Sequence, residues 1–197
     1  MIRLAVLLSL LSAPAWAGDT PDPDWPCIQR RQPHLSLGQV WSGPPPDDAV
    51  TALAKGAEVQ RVAKLIALRR TSMEEAGTLV ADFAATADAP ALVALNLAAF
   101  DHIQQARDRV MAGITRYAHK QEALDAHIKE KRQEFDRLSA AESPDFDAID
   151  KVEEDIDWST RIFQDRQQSL TYVCETPVIL EQRAFALGRM IAGHLPE

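Results

Sequence analysis

Apolar positions along most of this chain recur every three or four residues, the spacing of a helix face. Val59, Val62, Ala63 and Ile66 stand at i, i+3, i+4 and i+7, which predicts a helix over residues 57–70. Ser72-Met73-Glu74-Glu75 then reads as a capping box, a serine cap with a glutamate three residues on. Ala76, Leu79, Val80, Phe83 and Ala84 continue it as a second single-faced helix, and Asp88-Ala89-Pro90 ends that helix and begins the next. A shorter turn or two is expected from Asp47-Asp48 to Lys55, broken at Gly56.

Two longer patterns follow. No proline interrupts residues 91–139, and Val110, Ile114, Tyr117, Gln121, Leu124, Ile128, Lys131, Phe135 and Leu138 alternate steps of four and three. That is a heptad seam, with polar lapses at Gln121 and Lys131. In "AAESPDFD" Ser143 is the expected cap and Pro144 the first helical residue, with Asp145 and Asp147 complementing the helix dipole. The seam resumes at Ile149, Val152, Ile156, Ser159, Phe163, Arg166, Leu170 and Val173, and Pro177 is a candidate kink. A short loop between two such helices predicts an antiparallel hairpin, in a register that sets Ile128 beside Ile156 and Ile114 beside Leu170. Residues 57–114 and 170–195 carry apolar side chains on more than one side, as a bundle base requires. Residues 115–169 narrow to the seam alone and read as a two-helix stalk. The fold class expected is all-α: a small helical bundle with a long antiparallel, coiled-coil-like hairpin over residues 47–197, preceded by an irregular N-terminal strap.

That strap, residues 18–46, holds seven prolines and no helical period. Within it "LSLGQVW" alternates apolar and polar positions and predicts an extended segment, and Pro44-Pro45-Pro46 forms a stiff polyproline stub. Ahead of it, Arg3, the apolar run from Leu4 to Leu11, Pro14 and Ala15-Trp16-Ala17 make residues 1–17 a secretory signal peptide, cleaved after Ala17. The run is too short to span a bilayer, and no later stretch is long and apolar enough to do so. The short, alanine-rich signal points to a bacterial periplasm.

Export changes the meaning of Cys27 and Cys174, the chain's two cysteines. In an oxidising compartment they are expected to form one disulfide that pins the strap across the last helix. Trp25 and Trp41 would then anchor the strap on apolar helix surface. The formal charge of −8, becoming −9 without Arg3, gives no footprint for nucleic acid. Few glycines argue against phosphate-cradling loops.

Candidate chemistry is sparse. The chain has no C-x-x-C, no H-E-x-x-H and no Glu-x-x-His, and Met73, Met111 and Met190 are too scattered for a copper site. His119 with Glu122, and His127 with Glu130, share helix faces, but on a charge-rich stalk these read as surface contacts. Ser169, Tyr172 and Cys174 lack an activating histidine, and no G-x-S-x-G occurs. No catalytic residue, metal site or cofactor is expected. The candidate partner-binding residues are Trp25, Arg30, Arg31, Trp41 and Trp158. Arg30-Arg31 would suit a carboxylate or phosphate; Trp158, next to the seam, would contact a partner if exposed, but the reading preferred is that it packs along the seam or against Gln121 and Lys120.

Function is therefore argued from shape. The expectation is a non-enzymatic periplasmic adaptor, scaffold or assembly factor that engages another envelope protein, and the exposed seam faces would also allow a homodimer. An alternative is an accessory of periplasmic redox or metal metabolism using the cysteine pair. An enzyme with an unfamiliar site in the bundle ranks last.

Overall fold

The computed structural model describes residues 22–196, so the signal-peptide expectation for residues 1–17 lies outside the described residues. Among the described residues there are six helices and no strand, as an all-α fold requires. They are α1 (Leu37–Val40), α2 (Asp48–Leu53), α3 (Ala57–Ala67), α4 (Met73–Ala84), α5 (Ala89–Ser139) and α6 (Phe146–Ala192).

Local chemistry sets most of the helix starts. Asp47, Ser72, Asp88 and Asp145 each accept a hydrogen bond from the backbone N–H three residues ahead, at 2.8, 3.0, 2.9 and 3.1 Å. Each bond satisfies one of the donors that a helix start leaves unpaired. The last corrects the expected cap at Ser143: α6 starts two residues later, because the Asp145 carboxylate takes the Ala148 N–H. Pro144 thus precedes the helix rather than opening it. Helix α3 also stops at Ala67, short of Arg69-Arg70, where Leu68 turns extended. Its freed Ile66 carbonyl accepts from Arg183 Nε at 2.8 Å.

A second correction concerns "LSLGQVW", which is not extended throughout. Leu37–Val40 makes one helical turn, held by Gln39 Oε1 accepting from the Ser36 N–H at 2.8 Å and Leu37 O accepting from the Trp41 N–H at 2.9 Å. Strict alternation would send Val40 and Trp41 to opposite faces, whereas both are buried in the core. The turn accomplishes this by laying the Val40 carbonyl directly on Gly188 of α6, where a Cβ would overlap it.

The core lies where α5 and α6 pack on each other and on α2, α3 and α4. Ile66, Val80, Leu92, Leu95, Ile103, Leu187 and Ile191 are its largest fully buried apolar side chains. Two of its helices carry buried cations: Arg183, spent on the end of α3, and Arg107, spent on the strap. Pro177 is buried within α6, which continues past it.

Farther along the hairpin, burial contracts to the seam. Among α5 residues beyond Thr115 only Ala118 and Ile128 are buried, and among α6 residues before Leu170 only Val152 and Ser159. The register matches the expected pairing of Ile128 with Ile156: His127 Nε2 lies 3.2 Å from Asp155 Oδ1, and Gln121 Nε2 donates to Phe163 O at 3.2 Å. The polar lapses in the seam thus have partners. Gln121 reaches across to the opposite helix, and Lys131 pairs with Glu134 at 2.8 Å and approaches Asp155 at 3.9 Å. The His127 hydrogen bond, reinforced by Ser159 and Lys131, holds the Asp155 carboxyl below its ordinary pKa against the opposing effect of desolvation.

Candidate functional site

The strap lies along α5 and is tied down at every few residues. Asp24 O accepts from Thr115 Oγ1 at 3.1 Å, and Asp24 Oδ1 lies 2.6 Å from His119 Nε2. Farther on, Arg107 donates to Gln32 O at 2.6 Å and to Pro33 O at 3.4 Å, and Gln104 Oε1 accepts from the Leu35 N–H at 3.2 Å. Cys27 and Cys174 are joined as expected, with Cα atoms 5.6 Å apart across 147 positions of sequence. Cys174 is 4% exposed, so the bond lies under the strap it secures.

Arg107 is the residue that sequence reading missed here. It is 2% exposed, its guanidinium is occupied by strap carbonyls, and Glu181 Oε2 stands 3.9 Å away. Desolvation pulls its pKa down, and the charges of Glu181 and Asp108 oppose that pull. A charged residue in the apolar-sided half of α5 was the available signal; its irregular backbone partner could not be read from spacing.

The candidate partner-binding residues separate into three settings. Trp41 is buried in the core, its ring against Gly43 and its Nε1 donating to Pro44 O at 2.8 Å. Trp25 is likewise buried and donates to Gln29 O at 2.6 Å. Both tryptophans anchor the strap, as one reading of the sequence expects. Arg31 is paired with Asp22 at 2.8 Å, which lowers the Asp22 carboxyl pKa chiefly through that hydrogen bond, and Arg30 is exposed beside it. Trp25, Arg30 and Arg31 share one groove with Tyr117 and Phe163 of the hairpin.

Trp158 stands apart. It is 62% exposed, which corrects the preferred reading that it packs along the seam. Its indole borders a shallow surface hollow of about 420 Å³ with Lys151, Glu154, Asp155, Asp157 and Arg161. Tyr172, which sequence reading treated only as a failed nucleophile, is 77% exposed and lies fourteen positions, two heptads, farther along α6. The two aromatic residues therefore occupy the same heptad position, facing away from the seam, about 21 Å apart along the axis. That shared position was the signal available in the sequence.

The described residues hold no group of three or more His, Cys, Asp or Glu side chains placed to bind a metal ion, and no helix among them is long and apolar enough to cross a membrane. No protein-family model, curated protein or solved structure matches the chain.

Proposed function

We propose that this chain is a non-enzymatic periplasmic protein that acts as an adaptor, scaffold or assembly factor for another envelope protein, and that the α6 face of its stalk is the contact surface. The observation that carries this reading is the pair Trp158 and Tyr172, exposed at one heptad position of a helix whose apolar seam is already used by α5. Aromatic side chains of this size stabilise a complex strongly when a partner desolvates them, and tryptophan and tyrosine dominate binding hot spots. The surroundings suit a cationic partner. Residues 145–157 carry seven carboxylates against one cation, Lys151. Such a field accelerates encounter with a basic surface and repels acidic ones. A periplasmic setting fits the signal-like N-terminus and a disulfide linking residues 147 apart.

A photo-crosslinking residue placed at Glu154 or Arg161, on either side of Trp158, tests the reading in living cells. A discrete adduct with a heterologous envelope protein that disappears in Trp158→Ala is the expected result. An adduct of twice the chain mass would make the partner a second copy. Absence of any adduct at these positions and at Glu142 and Arg30 would end the adaptor reading.

A further inference from the structure

One flank of the hairpin is covered by helices at the base and bare along the stalk. On α6, Asp155, Ile162, Ser169, Thr176, Arg183 and Met190 recur every seven residues, each one position before a residue of the seam. The bundle covers the base end of this stripe: Arg183 Nε donates to Ile66 O at the end of α3, and Met190 lies against Gly77 of α4. On α5 the matching flank begins at His102, whose Nε2 lies 3.0 Å from Gln60 Oε1 of α3, and passes through Arg109 and Gly113 to Arg116. The cover stops where α3 ends. There Arg69, Val110 and Gly113 face Tyr172, Val173 and Thr176 around an open hollow of about 560 Å³. Beyond it the α6 flank continues toward the tip with Tyr172 and Trp158 exposed.

The groove that helices fill at the base thus runs on unfilled, with the same heptad spacing, and a further helix fits it. Gly113 is the only glycine of α5, and a Cβ there would meet only the end of Arg116, at 3.9 Å. It costs about 1 kcal/mol of helix propensity relative to alanine, and no packing within the chain requires it. What it provides is room for a close approach from outside. Charge gives the occupant a direction. Among the described residues Arg69, Arg109 and Arg116 are exposed at the hollow end and form no ion pair. At the other end Glu154 and Asp157 flank Trp158. Carboxylates stabilise a helix near its N-terminus and cations near its C-terminus, so the helix that matches both ends starts at the hollow and finishes at Trp158. Thr176 and Trp158 are 18 positions apart, about 27 Å or five turns. We propose that the partner contributes an amphipathic helix of about five turns, acidic toward its N-terminus and basic toward its C-terminus, which lies antiparallel to α6 as a third helix of the stalk. This rests on the adaptor reading and extends its contact surface from Trp158 to the hollow at the end of α3.

The test places a photo-crosslinking residue at Thr176 in one full-length variant and at Glu154 in another, and maps the partner residue each captures in living cells by mass spectrometry. Both are expected to lie in one helical segment of one protein. The residue caught from Thr176 comes first, among carboxylates, and the residue caught from Glu154 follows about twenty positions later, among cations. Gly113→Leu fills the hollow and Arg116→Glu reverses its charge. Each is expected to lower the yield from Thr176 by about tenfold or more, as one steric clash or one opposed charge in an interface does. Circular dichroism and thiol titration confirm that each variant is folded and oxidised. An adduct from Glu154 with none from Thr176 overturns this proposal and leaves the adaptor reading standing, whereas no adduct from either position ends both. Capture of two unrelated segments, the opposite order along the partner, an adduct of twice the chain mass, or full yield from both folded variants also overturns it.

Discussion

Gly188 shows how much a single hydrogen atom can specify. Its α-hydrogen faces the Val40 carbonyl, and any Cβ there would overlap that oxygen. The obstacle is backbone, which cannot rotate away as a side-chain end would. Gly188→Ala must therefore push α1 off α6 and disturb Val40 and Trp41, both buried in the core. A loss of about 1–3 kcal/mol in denaturant unfolding is expected, typical of overpacking. Gly77 is the control: it lies inside α4, and its added Cβ would meet only the end of Met190, at 3.7 Å. Gly77→Ala should stabilise by up to about 1 kcal/mol through helix propensity. If both substitutions had the same sign, the close approach of α1 to α6 would be wrong.

At the scale of elements, the contrast lies between regular helices and the strap. Heptad steps from Val110 to Leu138 and from Ile149 to Val173 mark the faces that meet in the hairpin, and the short loop between the helices sets their register. The alternation in "LSLGQVW" misled because a short segment is governed by what lies beneath it. Gly188 and the core pocket for Trp41 override the local pattern there. The path of the strap was legible through its cysteine and its two tryptophans. The cations and amides that hold the rest of it, Arg107 and Gln104 among them, obey no spacing rule toward an irregular backbone. For the candidate site, Trp158 could be singled out as an isolated tryptophan, and Trp25, Arg30 and Arg31 as residues of the strap, whereas their meeting with Tyr117 and Phe163 in one groove depends on the strap's path. The strap's energetics can be tested directly. Closing a loop across 147 positions contributes about 5 kcal/mol in the loop-entropy model, and removing native disulfides typically costs about 2–5 kcal/mol. The double variant Cys27→Ser/Cys174→Ser is expected to lose stability in that range and to become sensitive to proteolysis within residues 22–35. Unfolding unchanged to within about 0.5 kcal/mol would mean that Arg107, Thr115 and His119 hold the strap unaided.

For the whole molecule, burial predicts a gradient of stability along the hairpin. At the base, α5 buries nearly every residue from Leu92 to Ala99 against several helices at once. Toward the tip it buries Ile128 alone, and α6 buries Val152 and Ser159. Backbone hydrogen bonds open locally where few apolar contacts hold a segment, and only globally where many do. Native-state hydrogen exchange should therefore show amides of residues 92–103 protected to the level of global unfolding. Protection should fall progressively through residues 115–130 and reach its minimum around residues 135–150. Such a tip is well suited to adaptor work, since a partner that covers Trp158 would also supply the burial the stalk lacks, and its binding would appear as new protection there. The opposite result is equally informative. Tip amides as protected as the base in the purified protein would require the stalk to be covered already, and the only cover present would be a second copy. The exposed aromatic positions of α6 would then belong to a homodimer, and protection at the tip would fall on dilution while the base stayed unchanged.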